Sequence, residues 1–355
     1  MSTATPVAAP ARSPLVSGRL PRTAQVAVLA GALVLGIAVW LPFGTPSWAG
    51  VAIATMIFYA IAIGATSRII EGRRHAVDRV ATGLVTSAFI LVLLPLASLV
   101  WTVVENGRAR LDKAFFTETM RGVVGEGGGA RHAIIGTLII TGLAALMSVP
   151  FGVFTSIYLV EYGRGRLARM ITSMVDVMTG IPSIVAGLFA YALFEVFFGP
   201  GTRTGISGAV ALTVLMTPVV VRSSEEMLRL VPNELREASL ALGVPKWKTV
   251  VKVVLPTAIG GILTGVTLAI ARVVGETAPL LVTAGLAQDT NLNPFSGRMT
   301  TLPVYTYYQY TQPGVPPEAG HDRAWAAALT LIIIVAILFT AARVLASILK
   351  PKGLR

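Results

Sequence analysis

An arginine and a glutamate stand four residues apart in a stretch with no other charge, Leu268-Ala269-Ile270-Ala271-Arg272-Val273-Val274-Gly275-Glu276-Thr277-Ala278-Pro279-Leu280. Placing a charged side chain at the centre of an apolar span costs roughly 2.5 to 3.5 kcal/mol on insertion scales, so Arg272 calls for a partner. In an unbroken helix Glu276 lies one turn away and could be that partner, an i,i+4 pair that fixes packing and does nothing else. The alternative uses the guanidinium fork, which holds two oxygens of a tetrahedral oxyanion at once. Glu276 would then accept the proton of a protonated oxyanion, or repel an anion that lacks one. Gly275 and Pro279 are expected to interrupt the helix at this point and free backbone groups to line a polar path. A second candidate is Gly180-Ile181-Pro182-Ser183-Ile184-Val185-Ala186-Gly187, where a proline between glycines could expose N–H groups and the Ser183 hydroxyl; a packing kink explains it equally well.

The elements that must position these residues are helices in a membrane. Of the 355 residues 54% are hydrophobic and only 13% charged, where soluble domains carry about a quarter charged residues. Apolar runs of spanning length occur near 24–42, 48–70, 80–104, 132–160, 168–198, 208–221, 257–286 and 324–349. The reading is therefore an all-α, polytopic integral membrane protein of eight spans. The sixth run is short, so its helix is expected to continue past Arg222 toward Leu230 or to tilt steeply.

A formal charge of +12 could suggest nucleic acid. With both termini inside, 20 of the 29 Lys and Arg fall on the cytoplasmic side, eight fall outside, and Arg272 remains within a span. The positive charge thus orients the chain in a bilayer and implies no nucleic acid. There is no cysteine, and His75, His132 and His321 show no ligand spacing, so no metal site is expected and the histidines read as loop or interface residues.

Composition divides the chain. Residues 1–23, rich in Ala, Pro, Ser and Thr, are expected to be a disordered cytoplasmic N-terminus, and 350–355 a cytoplasmic tail. Residues 24–78 hold two spans with almost no polar residue, joined by the Leu41-Pro42-Phe43-Gly44-Thr45-Pro46-Ser47 turn; they read as peripheral. From 79 to 349 the spans gain the Gly, Pro, Thr and Ser that permit close packing and local unwinding, which places the functional core there. Two long outside loops, 104–131 and 287–323, could receive an external partner or be connectors whose Tyr305, Tyr307, Tyr308 and Tyr310 anchor at the interface. No half-chain repeat is present, which argues against a single-chain secondary transporter. No GxxxxGK[ST] loop occurs, so the chain cannot hydrolyse ATP alone, and no nucleophile and base form an enzymatic motif.

Between 222 and 256 lies a charged cytoplasmic segment. Asn233 is expected to cap a short helix, Glu234 and Glu237 suit its positive end, and Gly243 stops it in a left-handed conformation. Leu235, Ala238 and Leu242 make a small apolar stripe suited to a groove on another protein. Lys246, Lys248 and Lys252 are expected to hold the following stretch at the anionic lipid surface before Leu255-Pro256 re-enters the membrane. The spacing of Glu237, Ala238, Gly243, Val253, Leu255 and Pro256 resembles the EAA loop of ABC importer permeases, with Ser239 in place of the second Ala and Val253 of the usual Ile.

The resemblance narrows with Val221-Arg222-Ser223-Ser224-Glu225-Glu226-Met227-Leu228, with the run from Val231-Pro232 to Lys248, and with Ala269-Ile270-Ala271-Arg272-Val273-Val274-Gly275-Glu276-Thr277-Ala278-Pro279-Leu280-Leu281. These are similar to the PstA-type permease subunit of the phosphate-specific ABC importer, over about 80–349. The resemblance implies a type I ABC importer permease core of six helices, here preceded by two extra N-terminal spans, in the bacterial plasma membrane. It implies a second permease of the PstC type, a PstB-type ATPase dimer that uses the ATP and Mg, and an extracytoplasmic PstS-type phosphate-binding protein, with no cofactor held by this chain. Arg272, with Glu276 and Thr277 in the same string, is carried over as a translocation-path residue, and Ser183 joins the path as a candidate. Arg222 also matches a family arginine, at the cytoplasmic mouth, where Glu225 and Glu226 could instead pair with it. Phosphate near neutral pH bears an O–H and sulfate does not, which a carboxylate can sense. A permease for molybdate or phosphonate, and a non-transporting structural subunit, are the rival readings.

Overall fold

The computed structural model describes residues 20–43 and 48–349, and among them every regular element is helical. The expectations for residues 1–19, 44–47 and the tail 350–355 lie outside the described residues. In chain order the helices are α1 (Arg22–Trp40), α2 (Trp48–Ile70), α3 (Arg73–Gly107), α4 (Lys113–Thr117), α5 (Arg131–Ile157), α6 (Arg166–Thr179), α7 (Ser183–Phe198), α8 (Gly205–Arg229), α9 (Asn233–Ala241), α10 (Lys246–Thr249), α11 (Leu255–Val274), α12 (Ala278–Thr283), α13 (Leu302–Thr311) and α14 (Pro317–Leu349). Two π-helical turns, Tyr158–Tyr162 and Val250–Val254, follow α5 and precede α11. The ordered helix thus begins at Arg22, inside the segment expected to be disordered.

Seven helices among the described residues are long and apolar enough to cross a bilayer, and the pair α6–α7 makes an eighth only if taken as one span bent by 108°. The run read as a single helix over 168–198 is therefore broken. Pro182 lacks an N–H and drives the preceding residue out of the helical region, so α6 ends at Thr179 and α7 starts at Ser183. The sixth run continues as expected, with α8 ending at Arg229.

The chain separates into two compact units, up to Trp101 and from Thr102 onward, a division inside α3 and later than the composition shift near 78. In the first unit small residues let the helices touch: a side chain at Gly36 would meet Thr55, and one at Gly64 would meet Val80. Glu71, buried between α2 and α3, accepts hydrogen bonds from Arg79 (2.7 Å), Ser67 (2.7 Å) and the Leu20 N–H (2.7 Å). The Arg79 hydrogen bond, helped by the other two donors, holds its carboxyl down at about 2.

The second unit is built around α8, which is buried along most of its length. Gly152 of α5 lies against Val220, and on the other flank Gly261 and Gly265 of α11 lie against Met227 and Ser223. Because one turn forward on α11 matches one turn back on α8, the two run antiparallel. Ser148 and Thr217 share a buried hydrogen bond of 3.0 Å between α5 and α8. A smaller cluster, containing Phe115, Leu302, Tyr305 and Ala326, closes the far end. Tyr305 is thus a core residue and not an interface anchor, and its ring meets that of His132, also buried and not in a loop, at 5.4 Å. The two long loops join: Arg323 donates to the carbonyls of Gly125 (2.8 Å) and Gly127 (3.0 Å), and Arg121 pairs with Asp289 at 3.1 Å.

Two expectations follow from this packing. A Cβ at Gly265 would lie 2.5 Å from the Ser223 Cβ, whereas one at Gly142 meets nothing within 4 Å. Thermal unfolding in detergent micelles should show Gly265→Ala destabilised by about 1–3 kcal/mol and Gly142→Ala unchanged. Glu71 has a folded-state pKa below its unfolded one, so its contribution is complete above the ordinary carboxylate range and is lost as pH falls toward about 2. Melting curves from pH 7 down to 3 should therefore slope less steeply for Glu71→Gln, which starts from a lower stability at pH 7.

Candidate functional site

The α11–α12 junction follows the interruption read from Gly275 and Pro279. Gly275 caps α11, Pro279 sits in the first turn of α12, and Glu276 and Thr277 occupy the break. The break also removes the pairing that an unbroken helix would allow. Beyond Gly275 the chain leaves the helical path, so Glu276 no longer lies one turn along the same face, and no Arg272–Glu276 ion pair forms among the described residues. Arg272 is exposed in the last turn of α11, Glu276 and Thr277 are half-buried, and Arg272 has no hydrogen-bond partner among the described residues.

A cavity of about 590 Å³ opens beside the break, lined by Gly275 and Thr277 together with Thr306, Tyr307 and apolar residues of α14. Its walls are mostly apolar, and neither Arg272 nor Glu276 lines it, so Thr277 and the charged pair face different surroundings. Thr306, not singled out from sequence, has a buried hydroxyl without a partner among the described residues. Its only local signal was a polar residue in a tyrosine-rich loop.

Ser183 is brought to the same region. It is the first residue of α7, half-buried, one turn before Gly187, and a side chain at Gly187 would lie 2.6 Å from the Pro279 Cα. The close backbone approach sets the start of α7 against the α11–α12 break. The first hydrogen bonds of α7 run from Val185 and Ala186 to the Pro182 carbonyl (2.9 and 3.3 Å), leaving the Ser183 and Ile184 N–H groups unpaired among the described residues.

Arg222 is elsewhere. Since Ser223 faces Gly265, Arg272 lies two turns farther along α11, roughly 10 Å beyond the level of Arg222. Arg222 binds Asp176 of α6 and Glu225 (3.0 Å), and Arg229 holds the other oxygen of Glu225 at 2.7 Å. The pairing with Glu225 matches the cluster read from sequence, while Asp176 takes the place expected for Glu226.

The segment between α8 and α11 has two faces. No residue of α9 is buried, and Leu235, Glu237, Ala238 and Leu242 are all exposed. Gly243 turns the chain at φ +74°, the left-handed conformation expected of it. Asn233 does not cap: the helix starts on Asn233 itself after Pro232, because the side chain is taken by Arg236 at 3.3 Å. The inward face carries Arg236 and Ser239, the two half-buried residues of α9. Arg236 pairs with Glu161 of the π turn after α5 (2.9 Å), and donates to the carbonyls of Leu228 (2.9 Å) and Val231. The side chains of Arg236 and Glu161 are only 16% and 6% exposed. Lys246 donates to the Glu161 carbonyl and lies over the Tyr162 ring at 4.9 Å, so it braces the loop and does not reach for lipid. Ser239 and Thr249 close the loop at 2.9 Å.

The comparisons agree with this architecture. Residues 148–353 match the family of binding-protein-dependent transport system inner membrane components. "Phosphate transport system permease protein PstA 1" of Mycobacterium tuberculosis (strain ATCC 25618 / H37Rv) is 49% identical over 273 residues, covering 76% of this chain and 87% of the relative. The PstA protein of Mycobacterium leprae (strain TN) is 48% identical over 272 residues, covering 76% and 88%. A chain in the crystal structure of a bacterial alginate ABC transporter, in complex with alginate pentasaccharide-bound periplasmic protein, shares the fold with a TM-score of 0.53. It does so at 12% identity, covering 81% of this chain and 100% of that one. On this evidence, the chain belongs to the PstA family of ABC importer permeases.

Proposed function

We propose that this chain is the transmembrane permease subunit of an ATP-driven importer that moves inorganic phosphate into the cytoplasm by alternating access. The kinship to phosphate transport permeases at 49% identity supports the substrate. The observation that carries the site is the exposed Arg272, left without a partner among the described residues at the end of a broken helix. Such a charge within a membrane span is explained if it faces a second permease subunit across a polar route. Arg272 then binds two phosphate oxygens through its fork, and Glu276 accepts the remaining phosphate proton, which sulfate lacks. Ser183 and the free N–H groups at the start of α7 offer further donors near the break. Arg222, held by two carboxylates, belongs to the cytoplasmic mouth.

The power comes from outside the chain. A PstB-type ATPase dimer, using ATP and Mg, takes the exposed face of α9 in its grooves, and Arg236 passes the pull to the end of α5. A PstS-type protein delivers phosphate to the joined outer loops. Both termini are cytoplasmic.

Reconstitution of the whole complex in liposomes tests this reading. ATP-driven uptake should select phosphate over sulfate and molybdate, and Arg272→Gln should lose roughly tenfold or more, the size of one charged hydrogen bond. Unchanged uptake in Arg272→Gln would remove the site. A second test concerns Arg236: removing one partner of a buried pair costs up to roughly 3–5 kcal/mol. Arg236→Gln and Glu161→Gln should lower phosphate moved per ATP hydrolysed, and the double variant should recover part of it. Equal stoichiometry in all three would exclude a transmitting role.

A further inference from the structure

A separate cavity of about 370 Å³ lies where the turn after α5, the polar edge of α6 and the end of α8 meet. Arg169, Thr172 and Ser173 enter it from α6, and Glu225 and Arg229 from α8. Glu225 does not dominate the charge there, because Arg222 (3.0 Å) and Arg229 (2.7 Å) each take one of its oxygens. The Arg229 side chain remains 66% exposed, so most of its fork is open. Arg169 has no ion pair among the described residues. Neither do Thr172 and Ser173 make a hydrogen bond among them, in contrast to Thr179 of the same helix, whose hydroxyl is tied to the Val175 carbonyl at 2.9 Å.

We propose that this cavity binds a phosphate-type oxyanion between the Arg169 and Arg229 guanidiniums and the Thr172 and Ser173 hydroxyls. Two cationic forks and two neutral donors, on two different helices, match a tetrahedral anion with oxygens on several sides. Its source is either free inorganic phosphate or the headgroup of an anionic phospholipid, since the amphipathic α6 bends away from α7 as a helix lying along an interface does. Occupancy ties α6 to α8 beside the Glu161 turn, where it would restrain the element that α9 pulls. The inference goes beyond the proposed transport and does not depend on which ion crosses.

The chain has no cysteine, so a single Ala168→Cys in the full-length chain, at a position that lines the cavity and contributes no donor, reports directly. In micelles, millimolar inorganic phosphate should slow maleimide labelling of Cys at this position by about fivefold or more relative to chloride at equal ionic strength. In nanodiscs without phosphate, phosphatidic acid added to phosphatidylcholine should do the same if the headgroup is the occupant. Arg169→Gln should abolish whichever protection is seen, and protection by either source that depends on Arg169 supports the site. Labelling unaffected by both, or protection that survives Arg169→Gln, overturns it. Labelling does not read transport, so loss of phosphate uptake in the complex would leave the result standing.

Discussion

The proposed coupling of α9 to the membrane helices depends on the ion pair between Arg236 and Glu161. A nine-residue helix that buries none of its own side chains has no hydrophobic reason to hold a fixed position. It is held because the Arg236 guanidinium fills most of its inward side, reaching a carboxylate after α5 and two carbonyls at the end of α8, while Ser239 is tied to Thr249. The pair is shielded, so water competes poorly for either charge, and Lys246 adds a second contact to the same turn. The outer face of α9 is thereby tied to α5 and α8 together, and α8 meets α11 through glycine contacts.

The α6–α7 bend and the α11–α12 break come together through Gly187 and Pro279, with Ser183 and Thr277 close to the contact. Broken helices inside a membrane are tolerated where the freed backbone faces protein or a polar route. The adjoining cavity is mostly apolar, so the route we assign runs along the Arg272 side of α11 and not through that cavity. The small residues of α5 and α11 let both helices pack closely on α8, leaving little room for either to shift alone.

Much of this was legible in the sequence, for reasons that differ by residue. Gly243 and the Leu235, Ala238 and Leu242 stripe report local geometry, and local geometry is what spacing encodes. The partner of Arg236 lies 75 residues upstream, where no periodicity reaches. The i,i+4 relation of Arg272 and Glu276 was a property of a straight helix, cancelled by the very Gly275 that was read as an interruption. Residues 168–198 read as one span because hydropathy does not see direction, although Pro182 carried the bend. Tyr305 and His132 read as loop or interface residues because their burial depends on a cluster assembled from four helices, α4, α5, α13 and α14.

The most direct test of the transmitting joint is a distance. Spin labels at Leu240→Cys on α9, outside the Leu235, Ala238 and Leu242 stripe, and Phe154→Cys on α5, both exposed positions in a chain with no other cysteine, allow electron–electron resonance in the assembled complex. The account predicts the same separation in the nucleotide-free and ATP-bound complex, with a broadened distribution when Arg236 is changed to Gln. A separation that changes with nucleotide while Arg236 and Glu161 are intact would contradict it.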